Sequence, residues 1–132
     1  MASVLVVDDE RDVAEAIEAV LAHAGFTVIT AESAAQALEH VAAHKFDIVV
    51  TDIIMPKVNG LELIRKLRAR YPRVRVIAIS GGGSFGPLSL KPEAISTHAF
   101  IAAAKDAGAE DVLTKPFDMD DLLAAVRRHL PN

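Results

Sequence analysis

A chain of 132 residues, 52% hydrophobic and 24% charged, carries enough apolar material for one globular core. A net charge of -4 without any basic run argues against a nucleic-acid surface, and the absence of cysteine excludes disulfides and thiolate-bound metal. The start, "MASVLVVDDE", has neither the basic stretch nor the apolar stretch of a secretory signal, and no apolar run reaches membrane-spanning length, so a single-domain, cytoplasmic protein is expected.

The elements alternate from the first residues. "SVLVVD", Ser3 to Asp8, is a continuous β-branched run, as a strand buried on both faces requires. From Glu10 to Ala24 the apolar residues Val13, Ile17, Val20 and Leu21 recur at helical spacing, and Gly25 stops the helix. "FTVITA" predicts a second strand. Ser33 suits the cap of a helix that turns Ala37, Leu38 and Val41 inward. "FDIVVTD", Phe46 to Asp52, predicts a third strand, and Asn59 or Gly60 opens a helix with Leu61, Ile64 and Leu67 on its apolar face. "VRVIAIS" predicts the fourth strand, and a helix is expected from about Pro92 to Asp106, ending at Gly108. "EDVLTK" predicts the fifth strand, and a last helix from Met119 to Leu130 aligns Leu122, Leu123 and Val126. This is a (βα)5 pattern. It predicts an α/β fold, a doubly wound five-stranded parallel sheet with helices on both faces.

Ligands of such sheets bind beyond the carboxyl ends of the strands. The residues at those ends are Asp8 and Asp9, Asp52, Ser80 and Lys115. Three close carboxylates repel one another unless a hard divalent cation sits among them, and all-oxygen ligation suits Mg2+. With the metal and Lys115 present, the formal charges of the three aspartates cancel. Phosphorylation of Asp52 exchanges its charge for a phosphoryl group whose oxygens the metal and Lys115 are placed to neutralise. Each residue has a plainer explanation taken singly: Asp8 as a helix cap, Asp52 as a turn residue, Lys115 as a solvated strand end. Their convergence at one sheet edge favours a site. The five histidines lack metal-like spacing and are expected at the surface.

With these residues in order on a βα frame, the chain resembles the receiver domain of two-component response regulators, a flavodoxin-like (CheY-like) fold. The resemblance rests on "VDDE", on "TDIIMPKVNG" with Asp52, Pro56 and Gly60, on Ser80, and on "TKPF" with Lys115, Pro116 and Phe117, and it covers essentially the whole chain. It implies that Asp52 accepts a phosphoryl group from a sensor histidine kinase. Asp9, Asp52 and the main-chain carbonyl of Ile54 would ligate Mg2+, with Asp8 acting mainly through water. Lys115 would pair with the acceptor and then with phosphoryl oxygens, Ser80 would be the switch hydroxyl, and Pro116 would follow a cis peptide. The implied partners are that kinase or a histidine phosphotransfer protein and a downstream protein target, without nucleic acid or membrane. The chain would be a monomer or a weak phosphorylation-dependent dimer. It closes at "HLPN" directly after the fifth helix, so residues 1–132 are expected to form one stand-alone receiver without an output domain. Effector and relay roles both remain open.

Three further features bear on this expectation. Gly81, Gly83 and Gly86 spell G-x-G-x-x-G, but the loop follows the fourth strand rather than the first, and Pro87 follows the last glycine where a helix should open; nucleotide binding through it is rejected. The interval from Ser80 to Lys115 is roughly a dozen residues longer than is usual in receivers, and long loops in compact domains tend to be functional or mobile. The loop at about 81–92, with Phe85, Leu88 and Leu90 in or beside it, is therefore expected to be either a surface insertion or a partner-binding segment that orders on phosphorylation. Many receivers carry an aromatic residue where this chain has Val112, so the altered loop and fourth helix, or Phe100 as a substitute, would have to carry the signal. An aspartyl-nucleophile phosphatase needs an acid two residues after the nucleophile; Ile54 stands there and moves no proton, so the chain is expected to catalyse only its own phosphorylation and dephosphorylation.

Overall fold

The computed structural model describes residues 2–53, 60–80, 101–114 and 117–130. The elements run β1 (Ser3–Val7), α1 (Arg11–His23), β2 (Thr27–Ala31), α2 (Ala34–Ala43), β3 (Ile48–Asp52), α3 (Gly60–Arg70) and β4 (Arg75–Ser80). Helical residues 101–107 (α4), β5 (Asp111–Thr114) and α5 (Met119–Arg128) follow. The strands form one parallel sheet in the order β2-β1-β3-β4-β5. The predicted fold is thus the observed one, and the predicted ends that fall on described residues differ by a residue or two. The regular strand of "FDIVVTD" begins at Ile48, and Asp47 just before it is already bonded to both neighbouring strands, its N–H to Ser3 O (2.9 Å), its carbonyl to Arg75 N (3.1 Å) and its carboxylate to Ser3 N (2.9 Å).

The alternation of strand side chains sorts the core into two layers. Val4, Val6, Ile48, Val50, Ile77 and Ile79 face Ile17 and Leu21 of α1 and Leu122 and Val126 of α5. Their neighbours Leu5, Val7, Val49, Val76 and Ala78 face Ala37 and Val41 of α2, Ile64 and Leu67 of α3 and Ala104 of α4. Burial on both faces explains why β1, β3 and β4 read as unbroken apolar runs. The small residues Ala14 and Ala125, which the helical pattern did not single out, are also buried and bring α1 and α5 close to the sheet.

Ser33 caps α2 as expected, its hydroxyl accepting from Gln36 N at 3.2 Å, while Glu32 N donates to Gln36 Oε1 at 2.8 Å. That reciprocal pair satisfies two donors at the helix start. Gly25 and Gly108 hold positive φ, +101° and +121°, at the turns from α1 to β2 and from α4 to β5. At Gly108 a side chain would also collide with Arg68, whose guanidinium donates to the carbonyls of Gly108 and Pro72 (2.9 Å each) and pairs with Glu110. Glu110 in turn accepts from Val76 N at 3.0 Å, so the end of α3 is locked to the starts of β4 and β5.

Four histidines fall on described residues. His23 and His44 are exposed and His40 partly so, as expected. His129 departs from the surface expectation: its side chain is 20% exposed and its Nε2 lies 3.3 Å from Asp111 Oδ2, which also receives Arg128 at 3.0 Å. The turn that ends α5 folds the imidazole back onto the start of β5. His98 lies outside the described residues. Among those residues no helix is long and apolar enough to cross a membrane.

Candidate functional site

The strand order puts β3 at the centre of the sheet and β1 between β3 and its own successor, the edge strand β2. The order of winding therefore reverses between the parallel strands β1 and β3, the switch point at whose carboxyl ends ligands of such sheets bind. Val7 pairs with Thr51, so the next step of the register sets Asp8 beside Asp52. Both aspartates continue the rows of Val6 and Val50. Asp8 is 1% and Asp52 3% exposed, while Asp9, one residue further on, is exposed. One carboxylate oxygen from each of the three lies within 4.8 Å of the other two. The three acidic residues of the sequence reading are thus brought together, two in the protein interior and one at the rim.

Local structure holds each in place. Asp8 N donates to Ala31 O on β2 (3.0 Å), and Asp8 Oδ1 accepts from Glu10 N (2.9 Å), which fixes the turn into α1. Asp8 is not the helix cap, since the N-cap of α1 is Glu10 and no side chain caps it; the Asp8 carboxylate instead holds the turn that precedes the helix. Asp52 pairs with Ile79 of β4, and Thr51, fully buried, donates its hydroxyl to Asp52 O at 3.0 Å. Behind Asp52 the first residue of α3, Gly60, packs directly on the Asp52–Ile53 backbone; a Cβ there would sit 2.6 Å from Asp52 O and 2.9 Å from Ile53 O. The sequence pointed to Gly60 as a helix start, but this close approach is a backbone contact with no periodic signature. Beside the cluster Arg11 forms a surface pair with Glu32 (2.9 Å), which raises the Arg11 pKa through the hydrogen bond and charge of Glu32.

Ser80 ends β4 one residue beyond the partner of Asp52 and pairs with Thr114 of β5. Its hydroxyl is fully buried and has no hydrogen-bond partner among the described residues. A buried, unpaired hydroxyl costs about 1–3 kcal/mol. Ser80→Ala is therefore expected to raise the urea midpoint of the unliganded protein, by about 1 kcal/mol in stability. A lower midpoint would show that the hydroxyl is already satisfied. Lys115, Ile54 and Pro116 lie outside the described residues, as do Pro56, the loop at about 81–92, the start of the helix expected at Pro92, and Phe100. Val112 is half-buried on the same sheet face as Ala78, packed against the α2/α3 layer.

The cluster suits a hard cation. Oxygens bound to one Mg2+ stand about 2.0–2.1 Å from it and hence no more than about 4.2 Å apart. A small closure from the present 4.8 Å envelope brings all three within direct or water-bridged reach.

A five-stranded parallel sheet in this order, with three acidic residues gathered at its switch point, defines a flavodoxin-like α/β domain. The model of the response regulator receiver domain matches residues 4–127, and the chain belongs to that family, the receiver domains of two-component signalling. It is 29% identical to the response regulator ArlR of Staphylococcus aureus over 96% of its own length and 52% of ArlR, so it spans about half the length of the curated relatives it matches. Among solved structures it resembles the chemotaxis protein CheY4 of Vibrio cholerae (28% identity, TM-score 0.78, covering 98% of this chain and 99% of that one). It also resembles TrrA of Thermotoga maritima in complex with Mg2+-BeF (27%, TM-score 0.79, 98% and 100%). NtrX of Brucella abortus matches at 31% identity and TM-score 0.82 over 98% of this chain but 27% of that one.

Proposed function

We propose that the chain is a phosphoryl-accepting switch in which Asp52 is the acceptor. The observation that carries this reading is the buried placement of Asp52 beside Asp8, with Asp9 at the rim, at the switch point of the sheet. A carboxylate oxygen of Asp52 attacks the phosphorus of a phosphohistidine on a sensor kinase, the P–N bond breaks, and an acyl phosphate forms on Asp52. Asp9 and Asp52, with the Ile54 carbonyl, would hold Mg2+, and Asp8 would reach it mainly through water. When bound, the metal supplies positive charge to the phosphoryl oxygens during transfer. Lys115 is assigned the remaining positive charge on the same oxygens. The Ser80 hydroxyl, buried and without a partner among the described residues, is the donor a phosphoryl oxygen would draw in, and satisfying it contributes the differential free energy that favours the switched state. A downstream protein then reads the changed surface.

The reading is tested with acetyl phosphate and Mg2+. Intact mass should show one added phosphoryl group, and borohydride trapping should place it on Asp52. Labelling that persists in Asp52→Asn, or that ignores chelation of the metal, would refute the assignment. Independently, Mg2+ at about ten times its Kd should stabilise the native state by about 1.4 kcal/mol, and Asp9→Ala should lose that gain.

A further inference from the structure

The edge of the sheet opposite the acidic cluster carries a second feature. A pocket of about 670 Å3 opens at the amino ends of β3 and β4, between the end of α2 and the turn from α3 to β4. Its floor is apolar: Val41, Phe46 and Val74 are buried and Tyr71 half-buried. Its rim is cationic. Lys45 and Arg73 line it, both exposed, and no carboxylate among the described residues pairs with either. The one acidic group in the lining, Asp47, has its carboxylate engaged by the Ser3 N–H at 2.9 Å. His44, also in the lining, stands edge-on to Phe46, ring centroids 6.3 Å apart. Exposed Arg70 and Arg75 flank the same turn.

In a chain of net charge -4 this is a local reversal of sign. The helix macrodipole accounts for Arg70 in the last turn of α3, but its influence fades within a turn, and Lys45 and Arg73 lie beyond the helix ends. A volume of this size with an apolar floor and a few polar groups at the rim has the dimensions of a binding pocket. We propose that it captures a short acidic segment of a partner protein, with one aromatic or large aliphatic side chain inserted between Tyr71 and Phe46 and flanking carboxylates on Lys45 and Arg73. Nucleic acid fits less well, because the cations ring one hole instead of tracking a row of phosphates. The proposal does not depend on phosphoryl transfer at Asp52, which sits at the other edge of the sheet.

The probe is a fluorescein-labelled peptide with one phenylalanine flanked on each side by two glutamates, titrated with the whole chain at low salt. Saturable binding is expected. The double variant Lys45→Glu/Arg73→Glu should weaken it more than about tenfold, a loss of at least 1.4 kcal/mol. Both substitutions are at exposed positions, and a thermal melt confirms that the variant is folded. Replacing the phenylalanine of the peptide by alanine should weaken binding comparably, while Asp52→Asn should leave it unchanged. Absence of binding, equal binding by the alanine peptide, or indifference to the double charge reversal overturns the proposal. Tighter binding of a single-stranded oligonucleotide than of the peptide also overturns it and assigns the rim to phosphates.

Discussion

Asp52→Asn is expected to melt higher than the unsubstituted chain in the presence of a chelator, and to lose most of the stabilisation that Mg2+ confers. Asp8 and Asp52 are buried and, with Asp9, hold their oxygens within 4.8 Å of one another. Two unit charges at that separation repel by about 3.5 kcal/mol at an effective dielectric constant of 20. Neighbouring donors reduce the net penalty, so about 1–2 kcal/mol is the expected gain from making one side chain neutral at nearly constant volume. For a domain of this size that is roughly 4–8 °C in Tm. The gain should shrink when Mg2+ is added, because the cation offsets the same repulsion in the unsubstituted chain. Scanning calorimetry of both proteins, with EDTA and with Mg2+, reads both effects. A variant that melts lower in EDTA would mean that Asp52 is held by favourable contacts that outweigh the repulsion. The cluster would then be a structural network and not a metal site waiting for charge.

The elements of this fold were legible because their causes are periodic. Val4 to Val7, Ile48 to Val50 and Val76 to Ile79 are apolar at every position since each face of the sheet carries a helical layer, and Ile17, Leu21, Leu122 and Val126 recur at helical spacing since each helix is covered on one side. The site was legible for a related reason: in a parallel sheet the loop ends gather at one edge, so Asp8, Asp9, Asp52 and Ser80 are fixed by counting strands. What stayed hidden depends on contacts between positions that share no period. The lock of Arg68 onto Gly108 and Glu110 joins α3 to the turn before β5, positions that no spacing connects. His129 reads as a surface residue on a helix, yet the turn at the end of α5 lays it against Asp111. Buried Ala14 and Ala125 carry too little apolar surface to mark a face, although their small size sets how closely α1 and α5 approach the sheet.

Gly60→Ala is expected to destabilise the domain and to displace Asp52 at the same time. The added methyl group would meet Asp52 O and the Ile53 main chain, which are backbone atoms of the sheet edge and cannot rotate aside as a side chain would. Asp52 and Ile53 are tied on their other side, Asp52 in register with Ile79 and Ile53 N to Ile79 O at 3.0 Å. Relief must therefore come from α3, whose Leu63, Ile64 and Leu67 are buried in the layer beneath. Overpacking of this kind costs about 1–3 kcal/mol and occasionally more. With backbone on both sides of the collision the upper end applies, about 3 kcal/mol, which corresponds to a fall in Tm of roughly 10 °C. The better intrinsic helix propensity of alanine returns at most about 1 kcal/mol, and less at the first position of a helix. Because α3 begins immediately after the segment that leaves Asp52, its displacement should also change the rate of phosphoryl incorporation from acetyl phosphate at saturating Mg2+. Gly108→Ala serves as the comparison, since its strain falls on Arg68 at the opposite end of α3. If both variants lose stability but only Gly60→Ala loses incorporation, the missing side chain at Gly60 positions Asp52. If incorporation falls in proportion to stability in both, Gly60 serves packing alone.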